Sequence, residues 1–149
     1  MVRALAQPVV RVVAGALYDS AGRILIAERP PGKHMAGHWE FPGGKIAEGE
    51  TEAVALAREL HEELGIRVES AQPLLRLAHE YSDRHVELSL WLVAAYEGEP
   101  RPLDGQRLKW VLPARLPDER ILEADRPFVQ ALMNLPAPGG GPIGASPCP

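Results

Sequence analysis

Apolar residues recur along this chain with two different periods, and the two periods mark its elements. Val9 to Tyr18 and Arg23 to Arg29 are β-branched and aliphatic runs around the polar segment Asp19-Ser20-Ala21-Gly22, a spacing that predicts a β-hairpin. Pro30, Pro31, Gly32 and Gly37 punctuate residues 30–39 as a loop. A short strand at Glu40-Phe41 then meets a tight turn at Pro42-Gly43-Gly44. From Thr51 to Leu64 the period changes to that of a helix, with Ala53, Ala57, Leu60 and Leu64 as its buried stripe. Thr51 is placed to cap its start, Glu52 favours the positive end of the dipole, and Gly65 suits the left-handed residue that ends it. Leu74 to Glu80 and His85 to Tyr96 read as a second hairpin, Gln106 to Leu112 as a further strand, and Arg126 to Leu135 as a closing helix. Strands and helices without βαβ alternation predict an α+β domain, a mixed β-sheet flanked by helices. It spans residues 1–135, and the Pro/Gly-rich residues 136–149 read as a disordered tail.

At 149 residues the chain suits one domain that buries a core without disulfides. Its only cysteine, Cys148, excludes an intrachain disulfide and a cysteine metal site, and points to a reducing, cytoplasmic setting. Arg11 breaks the N-terminal apolar run, which therefore reads as a strand and not as a signal peptide. No segment has the length and apolarity of a membrane helix. Twenty acids against 16 bases give a net charge of −4, which disfavours a nucleic-acid partner, since phosphate neutralisation needs clustered Lys and Arg. The charge is local. Between Glu40 and Glu63 lie seven carboxylates and two bases, so that segment carries −5 and the rest of the chain +1.

On a helix Glu59, Glu62 and Glu63 share a face, and like charges at i, i+4 repel. They are tolerated when spread into water or when they share a counter-ion, and hard divalent cations such as Mg²⁺ take oxygen ligands. Spacing decides between these readings. Gly44, Glu50 and then Arg58-Glu59-Leu60-His61-Glu62-Glu63-Leu64-Gly65-Ile66 match G-x5-E-x7-R-E-U-x-E-E-x-G-U, with U aliphatic, at every fixed position. This is the Nudix box, and the chain resembles the Nudix hydrolases. Leu25 to Trp110, with His34-Met35-Ala36-Gly37 and Glu40-Phe41-Pro42-Gly43-Gly44-Lys45, is similar to their MutT branch, a likeness that extends over roughly residues 8–133.

The resemblance implies the Nudix fold, an α/β/α sandwich whose box forms a loop, helix and loop. It implies hydrolysis of nucleoside triphosphates, notably 8-oxo-dGTP, to monophosphate and pyrophosphate by a cytoplasmic monomer with Mg²⁺, or Mn²⁺, as cofactor. Glu59, Glu62 and Glu63 with the Gly43 carbonyl would hold the metal. Glu59 is the first choice for the base that orients or deprotonates the attacking water. Arg58 would tie the box loop to its helix through Glu50, the plainer alternative being a surface ion pair. Asp104, in Leu103-Asp104-Gly105-Gln106, matches a further metal-side acid, and also makes sense as a turn residue before glycine. Arg29 and His34 match phosphate-contacting residues on a loop that Gly32 and Gly37 would let close, with Lys33 and His38 left exposed. Glu40 falls on the substrate side, and Phe41 and Arg84 fall where the branch builds its base pocket, although Phe41 could equally be core.

Asp125 departs from the branch, whose prototype has a base-reading Asn there. 8-Oxoguanine presents an N7–H donor beside an O6 acceptor, which an amide matches and an ionised carboxylate does not. Asp125 would have to be protonated, as burial can arrange, or would read the exocyclic amine of cytosine, as in CTP-type pyrophosphohydrolases. Alternatively it caps the last helix, with Pro127 in the first turn. A silent nucleotide-binding module is a further alternative, but such domains lose box carboxylates and this chain keeps all of them.

Overall fold

Side-chain alternation along the first strand decides the architecture. In a computed structural model that describes residues 8–136, β1 (Val9–Leu17) points Val13 and Leu17 to one side and Ala14 and Ala16 to the other, all of them buried. Successive residues of a strand face opposite ways, so a strand buried on both faces needs a cover on each. One cover is α1 (Glu52–Leu64), whose Ala55, Leu56, Leu60 and Leu64 pack with Val13, Leu17 and Leu25. The other includes α2 (Arg126–Met133), whose Phe128, Val129 and Leu132 pack with Ala14, Ala16, Ile24 and Ile26. The result is the expected α/β/α layering. No helix among the described residues is long and apolar enough to cross a membrane. The tail assigned to residues 136–149 lies, apart from Pro136, outside the described residues.

The middle layer consists of two sheets. β2 (Ile24–Glu28), β3 (Trp39–Glu40), β4 (Gly43–Lys45), β5 (Arg67–Tyr81), β6 (Arg84–Glu97) and β7 (Arg107–Val111) complete it. A four-stranded mixed sheet runs β4-β1-β6-β5, with β1 parallel to β6, and an antiparallel sheet runs β3-β2-β7. The expected hairpin of the first two strands is therefore corrected. Its turn does form, with the Asp19 carboxylate accepting from the Ala21 and Arg23 N–H groups at 2.9 and 2.8 Å. Only the Tyr18–Ile24 bridge joins the strands before they part into different sheets. Both gain longer partners, β1 with nine paired positions on β6 and β2 with five on β7.

Three further differences are local. The turn expected at Pro42-Gly43-Gly44 narrows to Pro42, and Gly43–Lys45 pairs with Val12–Ala14 as β4. The second hairpin's first strand is 15 residues long, its bulges between Val68 and Leu75 carrying it past Pro73. The α1 stripe runs through Ala55 and Leu56 in place of Ala53 and Ala57, because Leu56 offers the larger apolar surface in phase with Leu60 and Leu64. Its caps are as expected: Thr51 Oγ1 accepts from the Val54 N–H at 3.2 Å, and Gly65 takes φ 74°. Glu52 anchors the first turn to the sheet, accepting from Ser89 Oγ (2.7 Å), Trp91 Nε1 (2.9 Å) and Arg76 Nε (3.0 Å). Burial opposes its ionisation, but these donors hold its carboxyl down at about 2.

Candidate active site

The box loop is clamped to α1 by a single guanidinium. Arg58 donates through Nε and Nη2 to the two carboxylate oxygens of Glu50 at 2.6 and 2.8 Å, and Nη2 also reaches the Lys45 carbonyl at 3.1 Å. Its Nη1 donates to Glu59 at 3.1 Å and lies 3.4 Å from Glu62. The bidentate bond, with the Ala47 N–H, brings the Glu50 carboxyl down to about 2. This geometry is the structural tie expected of Arg58, and one fork fixes loop, helix and Glu59 together. Arg58→Lys keeps the charge but loses the fork. The expected result is a kcat lowered about tenfold, as for outer residues that orient ligands, measured with the fold verified by circular dichroism.

Glycine brings Glu59 against the strand. A Cβ on Gly44 would lie 2.3 Å from the Glu59 carboxyl carbon, so only glycine admits that carboxylate to the β4 backbone. A Cβ on Gly43, at φ 159°, would lie 2.0 Å from the Val13 carbonyl oxygen, within the β1–β4 ladder. The two positions therefore respond differently. Gly44→Ala is expected to fold, since the side chain of Glu59 can move, and to lose most activity. Gly43→Ala meets backbone and is expected to lower the melting temperature markedly, which thermal denaturation of both variants reads.

Glu63 completes a group of acids. Burial pushes its carboxyl up to about 8, reinforced by the charges of Glu59, Asp104 and Glu40. The charges of Glu59 on the helix, Asp104 in the loop before β7 and Glu40 of β3 thus all act on this one carboxyl. The Glu62 side chain, 58% exposed, points to solvent beside Arg58. Among the described residues no three His, Cys, Asp or Glu side chains close around one point as a ready metal site. The donor set nevertheless fits a hard divalent cation: all are oxygens, gathered against their mutual repulsion, with backbone beside them at Gly43 and Gly44.

Asp125 stands on the other side of Glu40. It is 7% exposed, and its side chain makes no cap bond to α2, so the capping alternative is not what forms. Instead Oδ2 accepts from the Phe41 N–H at 3.5 Å. Burial, then the charge of Glu40, pushes its carboxyl up to about 7, against the Phe41 N–H and Arg29. Glu40 is itself raised by burial and held by Arg29 Nη1 at 3.0 Å. The five residues Glu40 to Gly44 thus run from Asp125 to Glu59.

Several predicted residues are placed differently. Arg29 is already turned inward, donating through Nε to the His34 carbonyl at 2.6 Å, while the His34 side chain is exposed on the 30–38 loop. Lys33 is exposed as expected, but His38 is half-buried, its Nδ1 buried without a hydrogen-bond partner among the described residues. The Phe41 ring is core, 6.4 Å from Phe128 in an edge-on contact, and only its backbone faces Asp125. Arg84 sits exposed at the β5–β6 tip over the Tyr81 ring. That tip pairs with Val9, five positions and about 17 Å of strand from Ala14, the partner of Gly43. Two features escaped the sequence reading. Leu75, Leu77 and Leu88 extend the α2-side face as half-buried apolar surface, which the alternation within β5 and β6 could have revealed. Gln106 is buried at 8% and bonded on both ends of its amide, and nothing in its local sequence announces this.

The family model of the NUDIX domain matches residues 13–131, and the chain belongs to the Nudix hydrolase family. Its relatives include two Escherichia coli enzymes. One, an 8-oxo-dGTP diphosphatase, is 37% identical over 125 residues, 84% of this chain and 97% of the relative. The other, a CTP pyrophosphohydrolase, is 36% identical over 125 residues, 84% and 93% of the two chains. The crystal structure of a MutT Nudix hydrolase from Burkholderia pseudomallei matches with a TM-score of 0.75 at 30% identity, covering 84% of this chain and 98% of that one.

Proposed function

We propose that this chain is a Mg²⁺-dependent nucleoside triphosphate pyrophosphohydrolase whose chief substrate is 8-oxo-dGTP. It would release monophosphate and pyrophosphate and so remove a damaged precursor before DNA replication. The observation that carries this reading is the run from Asp125 through Glu40–Gly44 to Glu59, which sets a buried base-side acid and a group of metal-side acids at the two ends of one five-residue segment linking the two sheets. A nucleoside triphosphate has the same layout, with a base at one end and a polyanion at the other. Similarity to the diphosphatase and the MutT structure supports the assignment.

In this reading Glu59, Glu63 and Asp104, with the Gly43 carbonyl, hold a divalent cation, and Glu62 joins them from the solvent side. Such an ion neutralises phosphate charge and lowers the pKa of the attacking water. Mn²⁺ has similar ligand preferences and should substitute. Glu59 accepts the proton of the water, or orients it, from a carboxylate that Arg58 holds against Gly44. Arg29, released from the His34 carbonyl, contacts phosphate, and His34 follows as the 30–38 loop closes. The apolar face of Leu77 and Leu88 supports the base, while Arg84, at the exposed hairpin tip, has no role. Asp125 reads the base as a neutral acid, accepting from N7–H and donating to O6. All of these roles fall to residues of one chain, so a monomer suffices.

Asp125 also motivates a second reading, a CTP or modified-dCTP pyrophosphohydrolase, since an ionised carboxylate accepts from the cytosine amine. Comparing kcat/KM for 8-oxo-dGTP, dGTP, CTP and 5-methyl-dCTP separates the two. The proposal expects 8-oxo-dGTP to lead, and a lead for either cytosine nucleotide would replace it with the second reading.

A further inference from the structure

α1 ends with carbonyl groups that no residue of the helix can satisfy, as every helix does. Here the loop before β7 supplies the donors: the Leu103 N–H bonds the Glu63 carbonyl at 3.1 Å and the Arg101 N–H bonds that of Leu64 at 2.9 Å. Gln106 closes the loop onto the same helix end. Its Oε1 accepts from the Asp104 N–H at 2.9 Å, and its Nε2 donates to the Glu63 carbonyl at 3.4 Å. The amide therefore joins the backbones of two acids that belong to elements more than 40 residues apart. The Gly105 N–H closes the turn onto the Pro102 carbonyl at 3.3 Å, and of the side chains bonded to this turn Gln106 is the one that reaches the Asp104 backbone, the Asp104 side chain itself being exposed.

We infer that Gln106 is a positioning residue that sets Asp104 against Glu63 for metal binding. The inference rests on the reading of those two acids as metal-side groups. Glutamine is required because one planar group must accept at one end and donate at the other. Ionised glutamate lacks the donor, methionine offers no donor and only a weak sulfur acceptor, and asparagine is one methylene too short to span the gap. Buried as it is, the amide also resists replacement by water.

Mn²⁺ binding to the free protein, followed by the electron paramagnetic resonance of unbound Mn²⁺, tests this without recourse to turnover. The proteins compared are wild type, Gln106→Met, Gln106→Asn, Asp104→Ala and the Gln106→Met/Asp104→Ala double variant. Gln106→Met is expected to weaken Mn²⁺ binding about tenfold, the size typical of outer residues that orient ligands. Gln106→Asn, the gentler change, should weaken it in the same direction. Asp104→Ala should weaken it comparably, and the double variant no more than Asp104→Ala alone, because Gln106 acts through Asp104. Additive losses in the double variant, or wild-type affinity in both Gln106 variants despite a lowered melting temperature, would overturn the inference while leaving the acids' role intact. Unchanged affinity in Asp104→Ala would instead remove Asp104 from the metal site, and the inference with it.

Discussion

Glu59→Gln is expected to lower kcat for 8-oxo-dGTP by at least about a thousandfold, within the range for loss of a general base compounded by loss of a ligand charge. Its carboxylate lies against Gly44, receives a hydrogen bond from Arg58 and acts on the Glu63 carboxyl beside it, and in the proposed function this one oxygen pair would serve both water and metal. The fold should persist. Gln fills the same space, keeps an acceptor for Arg58 and relieves repulsion with Glu63, leaving the melting temperature unchanged or slightly raised. Glu63→Gln should also lose activity by orders of magnitude, while Glu62→Gln, starting from solvent, loses less. Steady-state kinetics with a melting curve for each variant decides the matter, and full activity in Glu59→Gln or Glu63→Gln would refute the metal assignment.

The second large effect is expected at Asp125. Its folded pKa of about 7 lies above the ordinary 3.8, so the folded state binds a proton more tightly than the unfolded chain. Stability from this group is complete below pH 3.8 and is lost as pH rises through 7, by about 4 kcal/mol at most. Asn carries no such cost. The stability advantage of Asp125→Asn over wild type should therefore grow by about 3 kcal/mol between pH 5 and pH 8, or about 10 °C in melting temperature. Glu40 and Arg29, the charged groups that act on Asp125, are present in both proteins, so the difference isolates position 125. Activity should follow. In wild type, kcat/KM for 8-oxo-dGTP falls above pH 7 as the acid ionises, whereas in Asp125→Asn it stays level and use of CTP declines. An unchanged substrate ranking and a constant stability gap would show that Asp125 does not read the base.

How much of this was legible in the sequence depended on how local each feature is. The box lies within 23 residues, and a helix converts its spacing directly into geometry, so Arg58, Glu50, Glu59 and Glu63 stand as their intervals implied. Thr51 and Gly65 were legible for the same reason. The parting of β1 from β2 was not, because a four-residue polar turn serves a hairpin and a strand exchange between sheets equally well. Phe41 left its ring's destination open, since residues far along the chain, Phe128 among them, make it core. Asp125 and Gln106 depend on contacts 84 and 43 residues away, and no local pattern encodes these. Nor does an alternation of apolar residues reveal that Asp125 turns from its own helix toward the Phe41 amide.

The proposed reaction is defined by which bond is cut and by what the acids need to cut it. Product analysis of 8-oxo-dGTP incubated with the protein, with Mg²⁺ and with excess EDTA, tests it most directly. Metal-dependent pyrophosphohydrolysis gives 8-oxo-dGMP and pyrophosphate in equal amounts with Mg²⁺, and intact triphosphate with EDTA. Release of diphosphate and inorganic phosphate, or cleavage that persists in EDTA, would contradict it.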